Sequence, residues 1–279
     1  MLTVHFLDLV PIWLLFIGAM SLMVFFIEVG FRLGKRALLN AKKAQISQVR
    51  AIMGAGLGLL AFILAFTFST AQSHFELRVQ SVAEEARIAR NAFMQADLLA
   101  EPERTQAKQL LKDYIDLRSN MRNPSSLNVS EAIAELISFS EQIQKKLWEL
   151  AVNASRQNTA DQSAEKSNDA FMASVLALID IHFTRVHSSV MNRIPLTIWI
   201  TLYLMAALSM IIMGYQAGLT ERRSPVATVT LALAFSAVII LITDLDRPVM
   251  RFFQVNRQLL VDLDHYMQEE LQLEYHSGD

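Results

Sequence analysis

The sequence predicts an all-α integral membrane protein, with four transmembrane helices and a helical-bundle insert between the second and the third. Three observations lead there. Four apolar runs, Ile12 to Phe31, Ile52 to Ala71, Ile194 to Met213 and Val226 to Thr243, each reach the ~20 residues that a helix rising 1.5 Å per residue needs to cross a hydrocarbon core. Hydrophobic residues make up 53% of the chain and charged residues 19%, and the apolar ones are gathered into those four blocks instead of spread through one large soluble core. Between the second and third runs the chain is polar, its apolar positions recur at helical spacing, and strand alternation is absent.

The chain divides at those boundaries. Residues 1–71 carry the first transmembrane pair, 72–193 the extramembrane insert, 194–243 the second pair, and 244–279 an amphipathic tail. The first apolar run is read as a retained helix. No Lys or Arg precedes it, and it ends at Glu28 and Arg32 without a small-residue cleavage site. Glu28 lies four residues before Arg32, a favourable pair near a helix end.

Orientation follows from the short connections. The segment from Arg32 to Arg50 holds Arg32, Lys35, Arg36, Lys42, Lys43 and Arg50 and no acid, and the turn before Pro225 adds Arg222 and Arg223. Basic loops stay in the cytoplasm, which places the insert and both termini on the outer side. The tail, with Asp262, Asp264, Glu269, Glu270, Glu274 and Asp279, agrees.

Within the insert, Val79, Val82, Ala86, Ala89, Phe93 and Ala96 continue the second membrane helix as an amphipathic one until Pro102 interrupts it. A second helix, from about Glu103 to Met121, buries Leu110, Leu111, Tyr114, Ile115 and Leu117, and the cluster Asn123, Pro124, Ser125, Ser126 ends it. A third starts at Asn128, which caps it with Glu131 reaching back, and its apolar face is Ile133, Leu136, Ile137, Ile143, Leu147 and Leu150. Ser155 to Ser167 has no periodicity and reads as a loop. Phe171, Val175, Leu178, His182, Val186 and Val190 then form a stripe that leads toward the third membrane helix.

Two groups of residues are candidates for function. In the second span, Gly54, Gly58, Ala61, Ala65 and Ser69 recur at spacings of four, three, four and four. Such a small-residue face packs inside one subunit's helix bundle, seats an oligomer interface or lines a pore. Phe62 and Phe66, four apart, are either a hydrophobic constriction that gates by dewetting or ordinary packing residues. The second group is charged. Asp244, Asp246 and Arg247 stand where the fourth helix leaves the membrane, either to form an acidic ring in an oligomer or to pair with basic residues of the insert such as Arg78 and Arg87.

Other classes are excluded by what is missing. A net charge of −2 offers no footprint for nucleic acid. The chain has no cysteine, hence no thiolate chemistry. His182 and His187 are five apart, do not share a helical face and have no third ligand nearby, so no metal site is expected. No cofactor is expected, and no nucleophile and base arrangement or phosphate loop marks an enzyme.

The run Leu59 to Ser73 (LLAFILAFTFSTAQS), the Glu84-Glu85-Ala86 segment, and Gln95-Ala96-Asp97-Leu98-Leu99 before Pro102 resemble the second-helix region of the bacterial bestrophin-like domain family. Asp244-Leu245-Asp246-Arg247-Pro248 is similar to the signature that follows that family's last membrane helix. The resemblance covers nearly the whole chain and adds Glu84 and Glu85 to the charged candidates. It implies a multi-pass protein of a bacterial inner membrane. Through the family's distant similarity to the pentameric bestrophins, it also implies a homo-oligomer conducting inorganic anions. Bestrophins keep their termini and soluble helices in the cytoplasm, opposite to the side that the basic loops assign here. A flagellar-stator type of proton channel shares only the order of segments. The contrasting class is a membrane-anchored sensor or scaffold whose external bundle binds a partner or ligand.

Overall fold

A computed structural model describes residues 10–38, 43–120, 129–157, 162–187, 193–221, 224–247 and 258–277. The described residues form helices α1 (Ile12–Ala37), α2 (Lys43–Ala96), α3 (Glu103–Ser119), α4 (Val129–Gln157), α5 (Gln162–Val186), α6 (Leu196–Thr220), α7 (Pro225–Asp246) and α8 (Gln258–Ser277), with no strand among them. Of these, α1, α2, α6 and α7 are long and apolar enough to cross a membrane. The chain separates into two compact units. One comprises His5–Phe75 and Arg193–Phe253 and contains the apolar spans; the other comprises Glu76–Asn192 with Gln254–Asp279 and the first residues of the chain. Helix α2 contributes to both.

In the membrane unit the packing is governed by glycine. Helix α1 lies along α6, with Gly30 and Gly34 on one and Gly214 and Gly218 on the other, each pair four residues apart. A Cβ placed on Gly30 would fall 2.1 Å from the Ile211 carbonyl oxygen, and one on Gly214 would fall 2.0 Å from that of Ile27. Two backbones meet here with no room for a side chain, the contact that small residues permit in lipid, where no hydrophobic effect drives helices together. Around it, Met23, Ile27, Leu60, Leu64, Trp199, Leu202, Met210 and Ile239 form the buried core. Helix α7 begins with Ser224 as N-cap, its Oγ accepting from the Ala227 N–H at 3.5 Å, and Pro225 at the first position, where a missing N–H costs nothing. The expected Glu28–Arg32 pair forms, at 3.0 Å.

The second unit has its own core. Val82, Ala86, Ala89 and Phe93 of α2 pack with Leu111, Tyr114 and Ile115 of α3, Leu147 and Leu150 of α4, and Phe171, Val175 and Leu178 of α5. Each of these buried residues belongs to a helical spacing read from the sequence, whereas Val79, at the edge of the α2 stripe, is exposed and Leu136 and Ile137 are half-buried. Burying side chains of this size stabilises by about 1.5 to 3 kcal/mol each, before the entropy of ordering them. The C-terminal helix α8 closes the same core with Leu260, Leu263 and Met267. It is fastened by Lys108, which is buried, lies 5.0 Å from the centre of the Phe93 ring and pairs with both Asp97 and Glu274. Lys112 reaches Asp264 at 3.1 Å. Burial alone would lower the pKa of Lys108, but the two carboxylates outweigh it and hold the ammonium above its ordinary range.

One expectation is corrected here. Ser155 to Ser167 is not simply a loop: α4 continues to Gln157 and α5 starts at Gln162, with 158–161 outside the described residues. Polar sequence hides helix when one side chain supplies the docking, and the buried Asn168 does so by donating from Nδ2 to the Ala154 carbonyl at 2.8 Å, linking the two helices. The turn cluster Asn123 to Ser126, the cap at Asn128 and the side chains of Ile133 and Val190 lie outside the described residues.

Candidate functional site

The small-residue face of α2 is open in the single chain. Gly54, Gly58, Ala61, Ala65 and Ser69 are all exposed, and a Cβ on Gly54 or Gly58 would meet nothing within 4 Å. Packing inside one subunit's bundle is therefore not what this stripe does, and the close approach that small residues allow is made by α1 and α6 instead. Phe62 and Phe66 are 69% and 62% exposed and border a groove of about 250 Å³ that Thr197, Ile198 and Thr201 of α6 complete. On the opposite side of α2, Leu60, Leu64 and Thr67 are buried, Thr67 returning its hydroxyl to the Ile63 carbonyl at 2.7 Å. Helix α2 thus has one side seated and, among the described residues, a small-residue face left open beside the two exposed phenylalanines.

The charged candidates separate into three environments. Asp246 accepts the Ile194 N–H at 2.9 Å, tying the end of α7 to the start of α6, and Arg247 donates from Nη2 to the Val10 carbonyl at 2.8 Å, tying it to the residues before α1. Asp244 is buried, and neither of its carboxylate oxygens has a hydrogen-bond partner among the described residues. Glu84 lies at the surface of the other unit and pairs with Arg87, whose Nε donates at 2.8 Å. Arg87 is thus engaged along its own helix, and Arg78 is buried with interactions of its own.

Glu85, one residue on, is fully buried and gathers a polar network that joins α2, α3 and α5. The Tyr114 hydroxyl donates to its Oε1 at 2.5 Å, Arg118 Nε donates to the same oxygen at 3.1 Å, and Arg185 pairs with its Oε2. His182 Nδ1 lies 3.4 Å from the Tyr114 oxygen, with the two rings edge to face. The Gln144 carboxamide of α4 stands beside the same hydroxyl, its Nε2 without a hydrogen bond of ordinary geometry among the described residues. One carboxylate thus faces two guanidinium groups. Burial, reinforced by the Arg118 charge, pushes the His182 pKa down to about 4, so the ring is neutral at physiological pH. Burial also raises the Tyr114 phenol, with Arg118 and Gln144 opposing it, and draws the Arg118 guanidinium below its ordinary value.

Such a network is a lock. Charges taken out of water are repaid only where geometry is good, and removing one member leaves the others buried and unpaired. In the sequence, Glu85 stands in the paired-Glu motif and His182 in the apolar stripe of its helix. Tyr114, Arg118, Gln144 and Arg185 join them only through the packing of the helices. The signal was present, because Glu85 and Arg118 both fall on the apolar faces of their helices.

No curated protein matches the sequence. Among solved structures, the crystal structure of a membrane protein aligns with a TM-score of 0.64 at 12% identity, over 93% of this chain and 98% of that one, which is a likeness of fold. The family model of the bestrophin-like domain matches residues 17–260, a stretch that takes in the first span from Ile17 onward, the other three spans, the Glu84-Glu85 segment and the Asp244 to Pro248 signature. The chain belongs to the bestrophin-like domain family.

Proposed function

We propose that this membrane protein is one subunit of a homo-oligomeric channel for inorganic anions, with α2 lining the pore. The observation that carries the reading is the unpartnered face of α2. Gly54, Gly58, Ala61, Ala65 and Ser69 lie open on a helix whose other side is firmly seated, and Phe62 and Phe66 project beside them as the groups able to close a passage by dewetting. In an oligomer with α2 toward the axis, small residues would set the width and the phenylalanines the constriction. The protein sits in a bacterial inner membrane in this reading, with the insert and both termini outside, as the basic loops direct. It is not an enzyme.

The test is chloride flux from liposomes. Phe66→Ala is expected to raise the flux of the wild type several-fold, because removing the ring makes a dry constriction less favourable. Unchanged or lower flux from folded Phe66→Ala would remove α2 from the pore. Orientation is checked separately. In intact cells a membrane-impermeant thiol reagent should label a cysteine placed at Ser125 and spare one placed at Lys42, and the reverse pattern would invert the topology.

A second reading has an observation of its own. The extramembrane unit holds a complete core and a buried ionic network, more specification than a passive loop requires. In that reading the protein is a membrane-anchored sensor or scaffold whose bundle binds a partner or ligand. Wild-type protein that is folded but passes neither anions, cations nor protons would favour it.

A further inference from the structure

His182 enters the Glu85 network from α5 with its tautomer set by its neighbours. Tyr114 gives its only proton to Glu85 Oε1 at 2.5 Å, so what it turns toward His182 Nδ1 at 3.4 Å is an oxygen lone pair. The ring proton therefore sits on Nδ1, and Nε2 carries the free lone pair. Nε2 is buried and has no hydrogen-bond partner among the described residues. The groups around the ring are Glu85 from α2, Tyr114 and Arg118 from α3 and Arg185 from its own helix, with Gln144 of α4, which does not titrate, beside the Tyr114 hydroxyl. Asp180 and His187 of α5 are exposed to solvent. Two guanidinium groups already share the one carboxylate. A second ring proton would bring a third cation to it and place an N–H at Nε2 where no acceptor stands, a charge buried without a partner.

We propose that this arrangement is a proton-operated switch: acid releases α5 from α2 and α3 within the extramembrane unit, and His182 takes up its second proton in water. The proton does not have to enter the closed core. Helices open locally for a small fraction of the time, the imidazole of the opened state binds protons as a free side chain does, and acid draws the population toward that state. The closed ring has a pKa of about 4 against the ordinary 6.5, so the opened state binds more protons between those values. The closed form is therefore at full strength above pH 6.5 and weakens as pH falls toward 4. What the release uncovers is the apolar face of α5, Phe171, Val175 and Leu178. The switch belongs to the extramembrane unit alone and rests on neither reading of the function.

Full-length protein in detergent is followed by amide hydrogen exchange and mass spectrometry at pH 8 and at pH 5, with rates corrected for the intrinsic pH dependence of exchange. Opening of α5 between Phe171 and Arg185 should be about tenfold more frequent at pH 5, the ceiling being about thirtyfold before solvent screening is allowed for. Protection in α6 and α7 should stay the same. His182→Gln, whose side chain takes up no proton, should give α5 equal protection at the two pH values, whereas His187→Gln, on the exposed end of the same helix, should behave as the wild type. Equal protection of wild-type α5 at pH 5 and pH 8 would overturn the proposal without recourse to a variant. So would a loss of protection that spreads evenly through α6 and α7, or one that persists in folded His182→Gln.

Discussion

Replacing Gly214 with alanine tests the packing of the membrane unit at its tightest point. The new methyl would stand 2.0 Å from the Ile27 carbonyl oxygen and 2.9 Å from both the Ile27 carbonyl carbon and the Phe31 nitrogen. All three are backbone atoms of α1, so no rotamer change relieves them. Restoring ordinary contact requires α1 and α6 to part by about 1.4 Å, and a gap of even 0.5 to 1 Å forfeits a quarter to a half of each dispersion well it crosses. Overpacking ordinarily costs about 1 to 3 kcal/mol, and a backbone clash belongs at the upper end. The matched control is Gly58→Ala, where a Cβ meets nothing within 4 Å. Both variants gain about 0.5 to 1 kcal/mol from reduced backbone freedom of the unfolded helix, so their difference isolates the clash. At about 2 to 4 °C per kcal/mol for a chain of this size, Gly214→Ala should melt roughly 6 to 12 °C below Gly58→Ala in thermal unfolding of detergent-purified protein. Melting temperatures within two degrees of each other would refute the claim that the α1–α6 contact is close-packed.

The buried network yields two further expectations. Glu85→Gln keeps the shape and removes the charge, leaving Arg118 and Arg185 facing each other in the core; the loss should be about 3 kcal/mol, seen as a lower denaturant midpoint, and a midpoint equal to the wild type's would mean that water reaches the two guanidinium groups. His182 makes stability fall with acid. Its folded pKa of about 4 lies below the unfolded 6.5, so its contribution is complete above pH 6.5 and is lost as pH falls toward 4, by about 1 to 3 kcal/mol once solvent screening is allowed for. His182→Gln should flatten that part of the pH profile, and a slope unchanged by the substitution would place the titration elsewhere.

The spans were legible because lipid imposes a length, and the insert helices because each buried face repeats every three or four residues. What the apolar runs concealed was where the helices stop. Read by hydrophobicity, the first span ends at Phe31 and the third at Met213, yet α1 continues to Ala37 and α6 to Thr220. Gly34, Gly214 and Gly218 all lie in those extensions. A pair of glycines four apart on each of two helices is a readable motif, but three of its four members fall beyond the hydrophobic segments, where composition alone does not mark a membrane helix. Gly54 and Gly58 of α2 lie wholly inside an apolar run and are conspicuous in the sequence, yet a Cβ on either would meet nothing within 4 Å among the described residues.

Glu84 and Glu85 show what a sequence does reveal about charge. Adjacent helical residues point about 100° apart, so two identical side chains can have opposite fates. Glu84 falls outside the stripe of Val82, Ala86, Ala89 and Phe93 and pairs at the surface with Arg87. Glu85 is three residues after Val82 and four before Ala89, inside the stripe, and is buried. Arg118 repeats the pattern four residues after Tyr114, and His182 four after Leu178. Each of the three is a polar side chain set on an apolar face, and such a residue must find a partner or lose its charge. Glu85 and Arg118 find each other, while His182 stays neutral. Their meeting was implied by the requirement that buried charges be paired, and only the packing of α2, α3 and α5 identified the partners.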